Sequence, residues 1–553
     1  MDAVLSRTQR LRLAPDLSAL TPGEHAAVRE LLAAGERLNR IYMQQRHPQA
    51  LEAAAYLTRH PEMTKQRDLF WMSIGPVATT LNNAREAFLA VEPETPAKNM
   101  YPPGTTQAVM DAFLTAHAER RADILDDRTV VWAATPANLR RALTVLDRHP
   151  ALETLHPGLR ARLRAQQTYL SVPYSVAYAD DLFFVADRLN AAADDVAGGD
   201  AAFARYLRLR ARDLLADDYE GGDAAWVTGR FTGHLNAQIG AYETYDDSLY
   251  GVKTFFALSL LVRDVPRSNE LTSALEDIQA VENALPYDHH RTVRSDIPVG
   301  VYNIVADFGQ ARGTNTATIL PNEAYLAQQY GRTILMRGNI LLNDDIFAET
   351  ERAFAAAVAD DQAHDLTPEG GFYRTLWHEI GHYCGVNVTA DGHELDVALQ
   401  DSADLYEEMK ADLVSLTSAR ILHDRHKLTD AQLRGIYASG IRRVLQKNQP
   451  RRDQPYQTMQ LMQWNWFMDK GALSFENGRL RIHYDRYPAA VESLLHEVLA
   501  IQRNGDRSAA NAFVNRWTQW RPDLHEVIAQ RMRQAERTRF SLVTYAALDD
   551  AAH

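Results

Sequence analysis

At 553 residues the chain is too long for one ordinary hydrophobic core, so two or more packed lobes are expected. Hydrophobic residues make up 46% and charged residues 24%, and no stretch approaches the roughly eighteen uninterrupted apolar residues of a membrane-spanning helix. A formal charge of −13 argues against nucleic acid as the main partner, because phosphate binding needs a basic surface.

The opening MDAVLSRTQRLRLAPDLSAL has no continuous apolar core, so no secretory signal is expected. Cys384, the single cysteine, cannot form an internal disulfide, which fits a reducing compartment. The expectation is a soluble, cytoplasmic protein without membrane or nucleic-acid partners. Residues 1–240 read mainly as amphipathic helices, with apolar residues at helical spacing in Leu31–Leu38, Leu51–Leu57 and Ala137–Leu146, punctuated by Pro22, Pro61, Pro96, Pro102, Pro103 and Pro150. From Val301 the pattern changes. VYNIVADF, TATILP and RTILMRGNILL are β-rich runs between Gly and Asn turn signals, so a small sheet or barrel is expected near residues 300–345. Helical patterning returns after Phe347, through about Arg425 and again to Met468; RLRIHYDRY and RFSLVTYAAL read as isolated strands. The basic stretch Arg434–Gln454 reads as a solvated helix face and loop.

The segment Tyr373–Gly385 contains His378-Glu379-Ile380-Gly381-His382, an HExxH pattern. On a helix, positions i and i+4 share one face, so both imidazoles can reach one metal ion while Glu379 stands beside them as a general base. Gly385 and Asn387 offer a helix end just beyond, and Gly370-Gly371 read as a turn before it. The next helix, opening at Asp401 or Ser402, carries Glu408 and Asp412 as an i,i+4 pair beside an apolar stripe of Leu405, Met409, Leu413 and Leu416. A catalytic zinc needs a third protein ligand and keeps its fourth position open, and Glu408 can supply that ligand. Asp412 can then accept a proton from a ligating imidazole and fix its tautomer, with Glu407 as a second outer carboxylate. The expectation is one Zn2+ per chain on His378, His382 and Glu408, and hydrolysis with Glu379 as base. His393 and Glu394, in the loop between the two helices, read as solvated rather than as an alternative ligand pair.

HEIGH followed by EEMKAD resembles the dipeptidyl peptidase III family of zinc metallopeptidases, in its bacterial five-residue HExxH variant. The resemblance implies the same ligands and base, outer-shell roles for Glu407 and Asp412, and release of N-terminal dipeptides from oligopeptides by metal-activated water. Ile239-Gly-Ala-Tyr-Glu-Thr-Tyr-Asp-Asp resembles a second family segment. By that resemblance Glu243 binds the substrate's amino terminus and Tyr245 donates to the scissile carbonyl; Asn303 matches a strand residue that pairs with substrate backbone. Two departures stand out. Ala306 replaces the second Asn of that strand, and the family's catalytic His and nearby Arg fall on Tyr456 and Gln460, counted back from NWFMDKGA. They leave a second reading open, a zinc hydrolase of the same fold acting on a non-peptide or specialised substrate. A silent peptide-binding protein is the third, disfavoured because Glu379 is not needed to hold a metal. The expected architecture is α+β and mostly α-helical, in two lobes separated by a wide cleft, with a small mixed β-sheet or barrel in one lobe. Residues 1–345 would form the N-terminal lobe and 346–553 the zinc-binding lobe, with approximate boundaries. Oligomeric state is not legible.

Overall fold

The computed structural model describes residues 1–293, 298–320, 329–330, 333–450 and 455–549. Helices dominate it, as the composition and periodicity imply. Pro22–Arg46 shows why such segments form. Thr21 accepts a hydrogen bond from the Glu24 amide while Glu24 bonds back to the Thr21 amide, and Pro22 fills the first position, where no donor is needed. Leu31, Leu38 and Ile41 line its inner face and are fully buried. Gly35 lets the helix lie directly on a sheet, since a Cβ there would stand 2.3 Å from the Phe308 ring.

That sheet has five strands in the order Leu235–Glu243, Phe255–Arg263, Val299–Gly309, Thr333–Arg337 and Ala317–Leu320. Val299–Gly309 and Thr333–Arg337 run parallel; the other neighbours are antiparallel, so the sheet is mixed, as expected. It begins some sixty residues earlier than the sequence pattern indicates. Leu235–Glu243 and Phe255–Arg263 are strands, and Glu243 closes the first of them, beside a bulge between Ala241 and Glu243. Pro321 and Arg332, at the edges of two expected strands, lie outside the described residues, as do Arg451–Gln454 of the basic stretch.

Two large hydrophobic clusters organise the packing. One joins the N-terminal helices to the sheet and includes Leu11, Leu235, Phe256, Phe308, Val543 and Tyr545. The other gathers Pro368–Gly381, Ala403–Asp424, Asp430–Val444 and Tyr487–Asn504 around Trp377, Tyr406 and Trp464. The C-terminal strand, Phe540–Tyr545, is not isolated: it pairs in parallel with Thr8–Leu13, from Thr8 opposite Phe540 to Leu13 opposite Tyr545. Arg479–Ile482 likewise finds a partner, antiparallel Leu473–Glu476. No helix among the described residues is long and apolar enough to cross a membrane.

Candidate active site

The HExxH pattern lies on the helix Pro368–Gly381, begun by Thr367, whose side chain accepts from the Gly370 amide. Gly370 and Gly371 lie inside its first turn rather than in a preceding turn, and for a packing reason. A Cβ on Gly370 would stand 2.4 Å from the backbone of Gly435 on the helix Asp430–Val444. His382 occupies the C-cap with helical dihedrals, and Gly385 follows at φ +81, its amide donating to Glu282 Oε2 at 2.7 Å. The second helix spans Ala403–Asp424; Ser402 precedes it without a side-chain cap bond, and the Asp401 side chain lies outside the described residues. The two helices cross where Gly381 meets Ala411, a hypothetical Cβ on Gly381 lying 3.0 Å from the Ala411 backbone.

This crossing brings His378, His382 and Glu408 together, with one ligand atom from each within 4.8 Å of the others. Glu408 Oε2 lies 3.2 Å from His378 Nε2 and 4.0 Å from His382 Nε2. The opposite ring nitrogens are already engaged: His378 Nδ1 pairs with Asp412 Oδ1 at 2.8 Å and His382 Nδ1 with Glu407 Oε1 at 3.0 Å. Each imidazole therefore turns its Nε2 toward the shared point, the arrangement in which an outer carboxylate fixes the tautomer of a metal ligand. Glu408 Oε2 is buried and makes no hydrogen bond of acceptable geometry. Two nitrogens and an orphaned carboxylate oxygen, converging from one helix pair, fit Zn2+.

The outer shell is richer than the sequence indicates. Arg374 donates to Asp412 Oδ1 at 3.1 Å, Arg443 Nε lies 3.4 Å from both Asp412 oxygens, and Lys410 Nζ lies 2.8 Å from Glu407 Oε1. Burial alone would raise the Asp412 carboxyl, but Arg443, His378 and Arg374 hold it far below the usual carboxylate range. Burial likewise opposes Glu407, and Lys410 and His382 bring it down to about 2. Burial also disfavours a charged His378, yet Asp412 and Glu408 raise that imidazole to about 9. The outer carboxylates thus have their own cations, whereas neither Glu408 nor Glu379 makes an ion pair with Lys or Arg among the described residues. A divalent cation would balance those two charges.

Opposite the helices stands the sheet, across a cleft of about 670 Å³ lined by Glu243, Tyr245, Gln238, Arg337, Glu379, Glu408 and Tyr456, among others. Glu379 is partly buried on this wall. Tyr245 is 81% exposed and hydrogen-bonds to Glu243. Asn303 does not line this cleft. It borders a separate depression of about 340 Å³ with Asp264, Arg267 and Asn339. Gln460 is buried, accepting from Gln446 Nε2 at 2.7 Å, and Tyr456 donates to Glu408 Oε1 at 2.8 Å. His393 and Glu394 are exposed in the connecting loop. Arg374 was detectable as the i−4 neighbour of His378; Arg443, arriving from a third helix, carries no sequence signal of its own.

The chain superposes over its full length on a dipeptidyl peptidase III structure from Caldithrix abyssi, also covered in full, with a TM-score of 0.82 and 21% identity. The fold is that of dipeptidyl peptidase III. A dipeptidyl-peptidase III structure from Corallococcus sp. strain EGB matches with a TM-score of 0.74 and 23% identity, covering 100% of this chain and 97% of the other. A Nudix hydrolase 3 from Arabidopsis thaliana is 25% identical over 442 residues, 78% of this chain but only 55% of that protein. No family model matches the chain. At these identities the likeness to dipeptidyl peptidase III is one of fold, and the chemistry rests on the residues themselves.

Proposed function

We propose that the protein is a zinc-dependent peptidase that releases N-terminal dipeptides from oligopeptides. The observation that carries this reading is the convergence of His378 Nε2, His382 Nε2 and the buried Glu408 Oε2, which makes no hydrogen bond of acceptable geometry, with Glu379 on the same cleft wall. His378, His382 and Glu408 would hold the ion. Bound zinc supplies Lewis acidity, lowering the pKa of a water molecule to about 7 and polarising a carbonyl. Glu379, one residue beyond His378, takes the proton from the attacking water and passes it to the leaving amine. Glu243 on the facing wall offers a carboxylate to a substrate ammonium, and Tyr245 a phenolic donor to the oxygen that gains charge. Tyr245 starts from its hydrogen bond with Glu243 and is largely exposed, so closing the cleft is what would bring it to work.

Purified protein of measured zinc content, assayed on a panel of dipeptidyl-arylamides beside Glu379→Gln, tests the reading. The native protein is expected to release arylamine, and the variant to keep its zinc while losing about 100- to 10,000-fold in kcat. Equal rates in the two proteins would refute it. A second reading, a zinc hydrolase for a non-peptide or specialised substrate, is favoured by Tyr456 and by the burial of Gln460 away from the cleft. A zinc-loaded protein that leaves every arylamide intact but turns over another amide or ester would establish it.

A further inference from the structure

Tyr456 occupies the position expected for a catalytic histidine, and it does something the HExxH pattern does not assign. It lies in the first turn of the helix Pro455–Asp469, is 49% exposed, and lines the cleft. Its phenol donates to Glu408 Oε1, while Oε2 of the same carboxylate faces the two imidazoles without a hydrogen bond. The Arg443 guanidinium lies 6.0 Å from the centre of the Tyr456 ring while its Nε reaches Asp412, the carboxylate that orients His378. The phenol that engages the third ligand and the carboxylate that engages the first are thus steadied by one arginine.

A carboxylate can offer a metal one oxygen or two. Offering two occupies a further coordination position, the one an open catalytic site must keep free. We propose that Tyr456 is a positioning residue that makes Glu408 a one-oxygen ligand: by engaging Oε1 it leaves only Oε2 for the ion. This builds on the zinc site proposed above and adds a role for a side chain that the HExxH pattern leaves unassigned.

The test uses the full-length protein and Tyr456→Phe, which keeps the ring and removes only the hydroxyl. Zinc affinity is measured by competition with a chromophoric chelator, and the zinc environment by X-ray absorption at the zinc edge. The variant is expected to bind zinc about 10- to 100-fold more weakly, the usual cost of losing an outer-shell partner, and to gain an oxygen neighbour as Glu408 swings to two-oxygen binding. A merely structural tyrosine would not change the number of oxygen neighbours. If native protein binds zinc and the variant matches it in both affinity and coordination, the inference falls alone. A native protein that takes up no zinc overturns the metal site and this inference with it.

Discussion

Asp412 is surrounded by the guanidinium groups of Arg374 and Arg443 and the imidazole of His378, and all three compete for two oxygens. The arginines keep the carboxylate charged, and the charged carboxylate keeps His378 Nδ1 protonated and its Nε2 turned toward Glu408, where the proposed ion would sit. Asp412→Asn should therefore weaken zinc binding by about 10- to 100-fold. It should also destabilise the protein by up to about 3–5 kcal/mol, because the buried Arg374 guanidinium and the partly buried Arg443 lose their counter-charge. Chelator competition and thermal melting read the two effects; unchanged zinc affinity would mean that Asp412 only neutralises arginines. His378, His382, Glu408 and Glu379 were legible in the chain because helical periodicity maps spacing directly onto a face. Glu407 and Asp412 came with them for the same reason. Arg443 did not, since nothing in a linear pattern tells which third helix will deliver a side chain. Tyr456 was legible only as a departure from the family pattern, because its partner Glu408 is forty-eight residues away.

The glycine inside HEIGH has a purpose that the ligand pattern hides. Gly381 lets the helices Pro368–Gly381 and Ala403–Asp424 approach until a Cβ would stand 3.0 Å from Ala411 and 3.3 Å from the Val414 side chain. Gly381→Ala would push the helices apart by a few tenths of an ångström, costing about 1–3 kcal/mol through overpacking. Because His378 and Glu408 sit on opposite helices, zinc affinity should drop together with melting temperature; a stable variant of native affinity would show that the crossing tolerates the methyl group. The helices themselves were readable from their 3.6-residue period. Two strands were not. Leu235–Glu243 does alternate in sequence, Leu235, Ala237, Ile239 and Ala241 being apolar, but it follows a long helical stretch that masks the change of period. Phe255–Arg263 is buried on both faces, so its near-continuous apolar run has no period to read.

The packed interior also carries a charge problem that shows as a pH dependence of the folded state. Asp217 sits at φ +52, just past the helix Ala201–Ala216, and burial pushes its carboxyl up to about 7 against the pull of its hydrogen bonds from Ser175. Its folded pKa lies above the unfolded value near 4, so the native state binds the extra proton between about pH 4 and 7. Stability from this group is present below pH 4 and is lost as pH rises through 7. Asn tolerates the same backbone conformation. Asp217→Asn should therefore gain on the native protein as pH rises from 4 to 8, by at most about 4 kcal/mol. Melting curves across that range check it, and a pH-independent difference would contradict it.

The parallel pairing of Thr8–Leu13 with Phe540–Tyr545 has a consequence for how the protein comes into being. On a ribosome moving at about 5–20 residues per second, the first of these strands waits roughly half a minute to two minutes for its partner. Throughout that interval its backbone donors and acceptors are an open edge, available to any other extended chain. Leu11 and Leu13 meanwhile lack Val543 and Tyr545, which share their core. The sheet-bearing lobe cannot be completed in the order it is translated; it is finished by a strand made more than five hundred residues after its partner.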